Sequence, residues 1–267
     1  MRALLLAGVI FSFFLVAPLD VGAAEPEVRL DVAALRGGAV PRVHIAASPY
    51  TRSAAFYART ADGMVQPIHF TGRMAQAGDG PVLQIPAGEE HLIRIGGTPG
   101  LFVAARTGLR QDREAIFVLL SERLPAVLAE TAPVSAAVFF RQLMAVAHGQ
   151  KGALHILPYT IAAAGLPPED SSLAETTAFE IAFDGIAPEA VFTLADILTV
   201  EGSGPLTPVV IELPEAGGGI GFRYSSPASE TGFRERLGKV VKGAGLSGAR
   251  IVDHGAGTHL TVIAPAP

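Results

Sequence analysis

The chain has 267 residues, no cysteine, no tryptophan and a formal net charge of −5. At this length two domains are expected, held by their cores alone because no disulfide can form. The mild acidity argues against nucleic acid or an anionic membrane surface as partner. Aromatic residues make up only 7 %, which argues against a stacking platform for sugars.

The first predicted element is a secretory signal over residues 1–24. Arg2 supplies the positive start, Ala3–Ala17 is apolar apart from Gly8 and Ser12, and Gly22-Ala23-Ala24 offers small residues for cleavage. The apolar run is shorter than the roughly 20 residues of a membrane-spanning helix, so cleavage is expected rather than anchoring. No cysteine follows it, which excludes a lipoprotein. No later run is long enough to span, so a periplasmic protein without stable membrane insertion is expected.

Residues 25–151 read as short strands. Arg42-Val43-His44-Ile45 alternates polar and apolar, Ser53–Thr60 is rich in strand formers, and Asp62-Gly63 signals a turn. Ala115–Leu120 is apolar on both faces, as a central strand would be. Val134, Ala136, Val138 and Phe140 alternate with Ser135 and suggest a last strand. About seven short strands between Gly, Pro and Asp turns suit an immunoglobulin-like β-sandwich.

Two segments carry a resemblance. Pro81–Ile95, PVLQIPAGEEHLIRI, sets a Pro-Ala-Gly turn between two strand-like runs. Leu109–Pro125, LRQDREAIFVLLSERLP, places Gln111-Asp112-Arg113-Glu114 directly before the apolar run. In this order and spacing they resemble the N-terminal domain of the periplasmic pilus chaperones, the PapD-like family. Pro81, Ile85, Gly88, Arg94 and Ile95 fall on the first motif; Leu109, the QDRE residues, Phe117 and Pro125 fall on the second.

The resemblance implies a non-enzymatic chaperone without cofactor, working in fimbrium biogenesis. Such a protein lends a β-strand to an unfinished pilus or surface subunit and passes it to an outer-membrane usher. It implies that the lent strand lies within Ala132–His148, with Val134, Ala136, Val138 and Phe140 filling the guest's groove; these residues equally suit the chain's own core. It also implies an arginine in the first strand that anchors the subunit's C-terminal carboxylate, a position held by Arg29, which equally suits a solvated edge. The family's partner lysine has no counterpart; Arg141 is the cation inside the strand.

Beyond a linker over 152–175, with His148 and His155 exposed, residues 176–267 depart from the family's second sandwich. Ala178–Phe183, Pro208–Leu213, Ile220–Tyr224 and Leu260–Ile263 read as strands. Pro188–Val200 and Pro227–Lys242 read as helices, the second with Phe233, Leu237, Val240 and Val241 on one face and Gly243 as stop. This order suits an α+β, ferredoxin-like domain. A divergent β-sandwich remains the alternative, because Thr193, Ile197, Thr199 and Val200 are β-branched.

Other motifs carry less. Gly243–Gly248 spells G-x-G-x-x-G but follows a helix, the reverse of a dinucleotide site. Asp253–His259, DHGAGTH, offers two histidines without an evident third metal ligand and reads as a hairpin. The leading function is a chaperone acting by strand addition; the alternative is a non-catalytic accessory binding module of a cell-envelope or secretion assembly, and a third reading is a hydrolase or metal-dependent enzyme centred on Asp253–His259.

Overall fold

The computed structural model describes residues 28–30, 34–36, 42–46, 53–60, 63–68, 82–84, 91–94, 115–121, 132–147, 152–162, 177–200, 209–213, 219–255 and 257–265. The signal-like segment, the Pro-Ala-Gly turn and the QDRE residues lie outside them, as do His148 and the linker from residue 163 to 175.

The fold is mainly β. In chain order its first strands are β1 (Val28–Leu30), β2 (Ala34–Arg36), β3 (Arg42–Ile45), β4 (Ser53–Arg59), β5 (Met64–Pro67), β6 (Val82–Gln84), β7 (His91–Arg94), β8 (Ala115–Ser121) and β9 (Val134–Ser135). Helix α1 (Ala136–Ala147) follows, then β10 (Gly152–Pro158) and β11 (Thr160–Ala162). The second half runs β12 (Thr177–Asp184), α2 (Pro188–Val200), β13 (Val209–Glu212), β14 (Gly221–Ser226), α3 (Glu230–Gly243), β15 (Arg250–Asp253) and β16 (His259–Ile263).

One mixed sheet of eleven strands runs through both halves in the order β15-β16-β12-β14-β13-β10-β8-β4-β5-β9, with β6 also on β4. A three-stranded sheet, β1-β3-β7, and a parallel pair, β11-β2, complete the described strands.

Period-two alternation sends side chains of the large sheet to two cores. On one face Ala54, Phe56, Ile116, Val118, Leu120, Leu157 and Tyr159 meet Val28, Val43 and Ile45 of the three-stranded sheet. On the other face Tyr57, Phe117, Leu119, Leu154 and Ile156 pack with Phe140, Phe192, Phe233 and neighbours from the three described helices. Every residue of β4 and β8 is therefore buried. In β12 only alternate residues are, because among the described residues the helices cover one of its faces.

Helix α3 is the element best explained by local sequence. Ser229 caps it, its hydroxyl accepting a hydrogen bond from the Gly232 amide at 3.2 Å. The predicted apolar face, Phe233, Leu237, Val240 and Val241, is buried. The chain turns at Gly245, whose φ of +80° favours glycine. Ser229→Ala is expected to cost about 1 kcal/mol, read as a lower urea midpoint.

Three expectations are corrected. The strand over Val134–Phe140 is two residues long; from Ala136 the chain is α-helical. The segment fits both periods, since Phe139, Phe140 and Leu143 share a helical face. Ser135 also caps the helix, its hydroxyl accepting from the Val138 amide at 3.4 Å, and the Ala-rich composition favours helix. The supposed linker begins with β10, a strand paired on both edges, and His155 within it is 3 % exposed rather than surface-lying. The last strand, β16, has a further strand, β15, beside it, and runs parallel to β12. The strand–helix–strand–strand–helix order of the second half matches the expectation, and residues 188–200 are helix as read.

Candidate functional site

The residues expected to bind a partner are divided between opposite faces of the large sheet. Arg29 is exposed on β1, one of the two outer strands of the three-stranded sheet. Val134 lies in β9, which pairs with β5 at the end of the large sheet. Ala136, Val138, Phe140 and Arg141 belong to α1, on the helical face. Phe140 is fully buried and stacks on Phe192 at 4.5 Å, so it fills the chain's own core. Val138 is 37 % exposed. Arg141 forms an exposed ion pair with Glu189 at 3.0 Å. A hydrogen bond from the Glu189 amide and then Arg141 hold that carboxyl below its ordinary range. Such a pair adds little stability.

The edge that could have been open lies elsewhere. Beside β8 in the large sheet lies β10, antiparallel to it from Gly152↔Ser121 to Pro158↔Ala115. Its other edge carries β13 in the register Ala153↔Glu212, Leu154↔Ile211, His155↔Val210 and Ile156↔Val209. Val209 and Ile211 are fully buried. This ladder is the seam through which the two halves share one sheet.

A second tie crosses the halves. The Arg59 guanidinium, at the end of β4, donates to the Asp196 carboxylate of α2 at 2.9 Å, with side chains 6 % and 23 % exposed. The end of α2 is held in turn by α3: Arg236 donates to the Leu198 carbonyl at 3.0 Å, the favourable placement of a cation at a helix C-terminus.

The richest polar grouping among the described residues is a row across the second half, on the face opposite the helices. Adjacent strands bring Val210, Arg223, Glu180 and His259 side by side. Arg223 pairs with Glu212 at 3.3 Å, and His259 Nδ1 with Glu180 at 2.9 Å. Partial burial, then the charge of Glu180, pushes the Glu212 carboxyl up; burial pushes the Arg223 guanidinium down. His254 Nε2 meets Thr261 Oγ1 at 2.8 Å. The charges are thus largely matched within the row.

The DHGAGTH segment is the β15–β16 hairpin, with Gly255 and Gly257 at φ of 114° and 70°. Asp253 accepts from the Gly255 amide and pairs with Arg234 of α3; both, the amide first, lower its carboxyl. Among the described residues no set of three His, Asp or Glu side chains could hold a metal ion, and no helix is long and apolar enough to cross a membrane.

Sequence reasoning missed His155, the β10–β13 ladder and the Arg59–Asp196 pair. The one available signal for the pair was a single acidic residue in the otherwise apolar run VFTLADILTV. No protein-family model, no curated protein and no solved structure matches the chain.

Proposed function

We propose that this protein is a non-catalytic binding module of a cell-envelope assembly, built on a chaperone-type sandwich whose lent strand is engaged within its own chain. The observation that carries this reading is the β13 ladder on the outer edge of β10. In the family resembled, the lent strand follows the QDRE strand and meets a guest; here β9 follows β8 in the chain, and it is β10, beside β8 in the sheet, that meets the second half.

Strand order supports an immunoglobulin-like sandwich for the first half. β1, β3 and β7 form one sheet; β10, β8 and β4, with β5 and β6, form the other; an apolar core lies between them. The second half then serves as an α+β recognition unit with the strand order of a ferredoxin-like sheet, β15 being added and β16 running parallel to β12. Export through the signal-like segment places the module in the periplasm.

The chaperone reading keeps one specific support, the terminal strand β9 beside β5. Two residues are a short template for a guest, so the module reading is preferred.

Co-expression with a strand-deficient fimbrial subunit separates the two. Soluble subunit is expected to stay unchanged. A photo-crosslinking residue at Ala182, on the exposed side of β12, or at Val138 is expected to trap a discrete envelope component in intact cells. A several-fold rise in soluble subunit, reversed by Arg29→Ala, would overturn the module reading in favour of strand lending. No adduct from either position would count against it as well.

A further inference from the structure

His155 sits where the two halves join. On β10 it stands opposite Val118 of β8 and Val210 of β13. Alternation places it on the side of Leu157 and Tyr159, toward the three-stranded sheet. It is 3 % exposed, and its Nε2 has no hydrogen-bond partner among the described residues. A buried ring nitrogen without an acceptor is poorly prepared to become a cation.

Among the described residues, little offsets a charge there. β8 carries no titratable side chain. On β1 and β3, Arg29, Arg42 and His44 alternate with the buried Val28, Val43 and Ile45 and so point away from this core. On β7, the third strand of that sheet, His91 stands opposite Ile45 and Arg94 opposite Arg42; neither supplies a negative charge. Tyr159 shares the face further along the chain. On β13 the one titratable group is Glu212, on the same face opposite Ala153 and engaged with Arg223. Beyond β13, Arg223 adds a like charge.

We propose that His155 makes the seam between the two halves acid-sensitive: protonation of its imidazole loosens β10 from β13 and opens an edge that is closed at neutral pH. This needs only the ladder and the burial, and is independent of the function proposed above.

Burial lowers the imidazole from an ordinary 6.5 to about 4. Between these values the opened state binds the proton and the closed state does not. Closure is therefore fully favoured above about pH 6.5 and weakens as the pH falls toward 4, by on the order of 10²-fold in the equilibrium constant.

Hydrogen exchange on the full-length protein at pH 7 and pH 4.5, corrected for intrinsic rates, tests it. Amides of β10 and β13 are expected to lose protection by on the order of 10²-fold, and His155→Leu is expected to abolish most of that loss. Equal loss in the variant would overturn the proposal. Should the variant not fold, the wild type alone decides. Loss concentrated at β10 and β13, with the His155 ring titrating well below 6 by NMR, supports the latch; loss spread evenly, or a ring titrating above 6, overturns it.

Discussion

Asp196→Ala is expected to destabilise the protein by about 3–5 kcal/mol, because it takes a carboxylate away from a buried cation. Arg59 is only 6 % exposed on its side chain, and water cannot readily replace the carboxylate 2.9 Å away. Arg59→Ala is expected to cost somewhat less, since Asp196 at 23 % exposure can recover part of its hydration. The informative variant removes both charges. Arg59→Met with Asp196→Leu keeps the volume and is expected to recover most of the loss, because well-packed apolar pairs often match buried ion pairs in stability. A double-mutant cycle in urea checks this; near-additive single losses would show that the two side chains do not act as a pair.

Phe192→Ala is expected to cost about 3–5 kcal/mol, the usual range for emptying a large aromatic site. Phe192 lies between Phe140 of α1, at 4.5 Å and 24°, and Phe117 of β8, at 5.8 Å and 79°. It joins an element of the second half to two of the first and is 2 % exposed. The cavity left would open at the centre of the helix-side core, where α1 and α2 meet the sheet. Phe192→Leu is expected to cost clearly less, since it retains most of the apolar contact. If Phe192→Ala shifted only one of two separable unfolding transitions, the halves would not share a core.

The second half was largely legible because its elements are covered on one side. β12 alternates buried and exposed residues along its length, and α3 repeats its apolar positions at helical spacing. Both periods can be read without knowing what packs against them. β10 was not legible for the opposite reason. Between β8 and β13, with a core on each face, Leu154, Ile156 and Leu157 are buried regardless of parity, and His155 with them. Without alternation, a short run holding a histidine between glycine and proline resembles a connection.

The segment around Val134–Phe140 misled because period two and period 3.6 coincide over so few residues. Ser135 as a cap and the alanines after it decide for helix. The Arg59–Asp196 pair was invisible for another reason: the partners are 137 residues apart, and no local pattern records which distant strand a helix will cover.

The account rests on β10 being paired within its own chain. With no native cysteine, a disulfide can report that register directly. Ala153→Cys with Glu212→Cys joins directly opposed residues, and such pairs lie within the span a disulfide bridges. Under oxidation the variant is expected to form an intramolecular cross-link, independent of protein concentration, while Ala153→Cys with Ile211→Cys, shifted by one residue onto opposite faces, forms little. Cross-linking only between molecules, or equal yields from both pairs, would contradict the account.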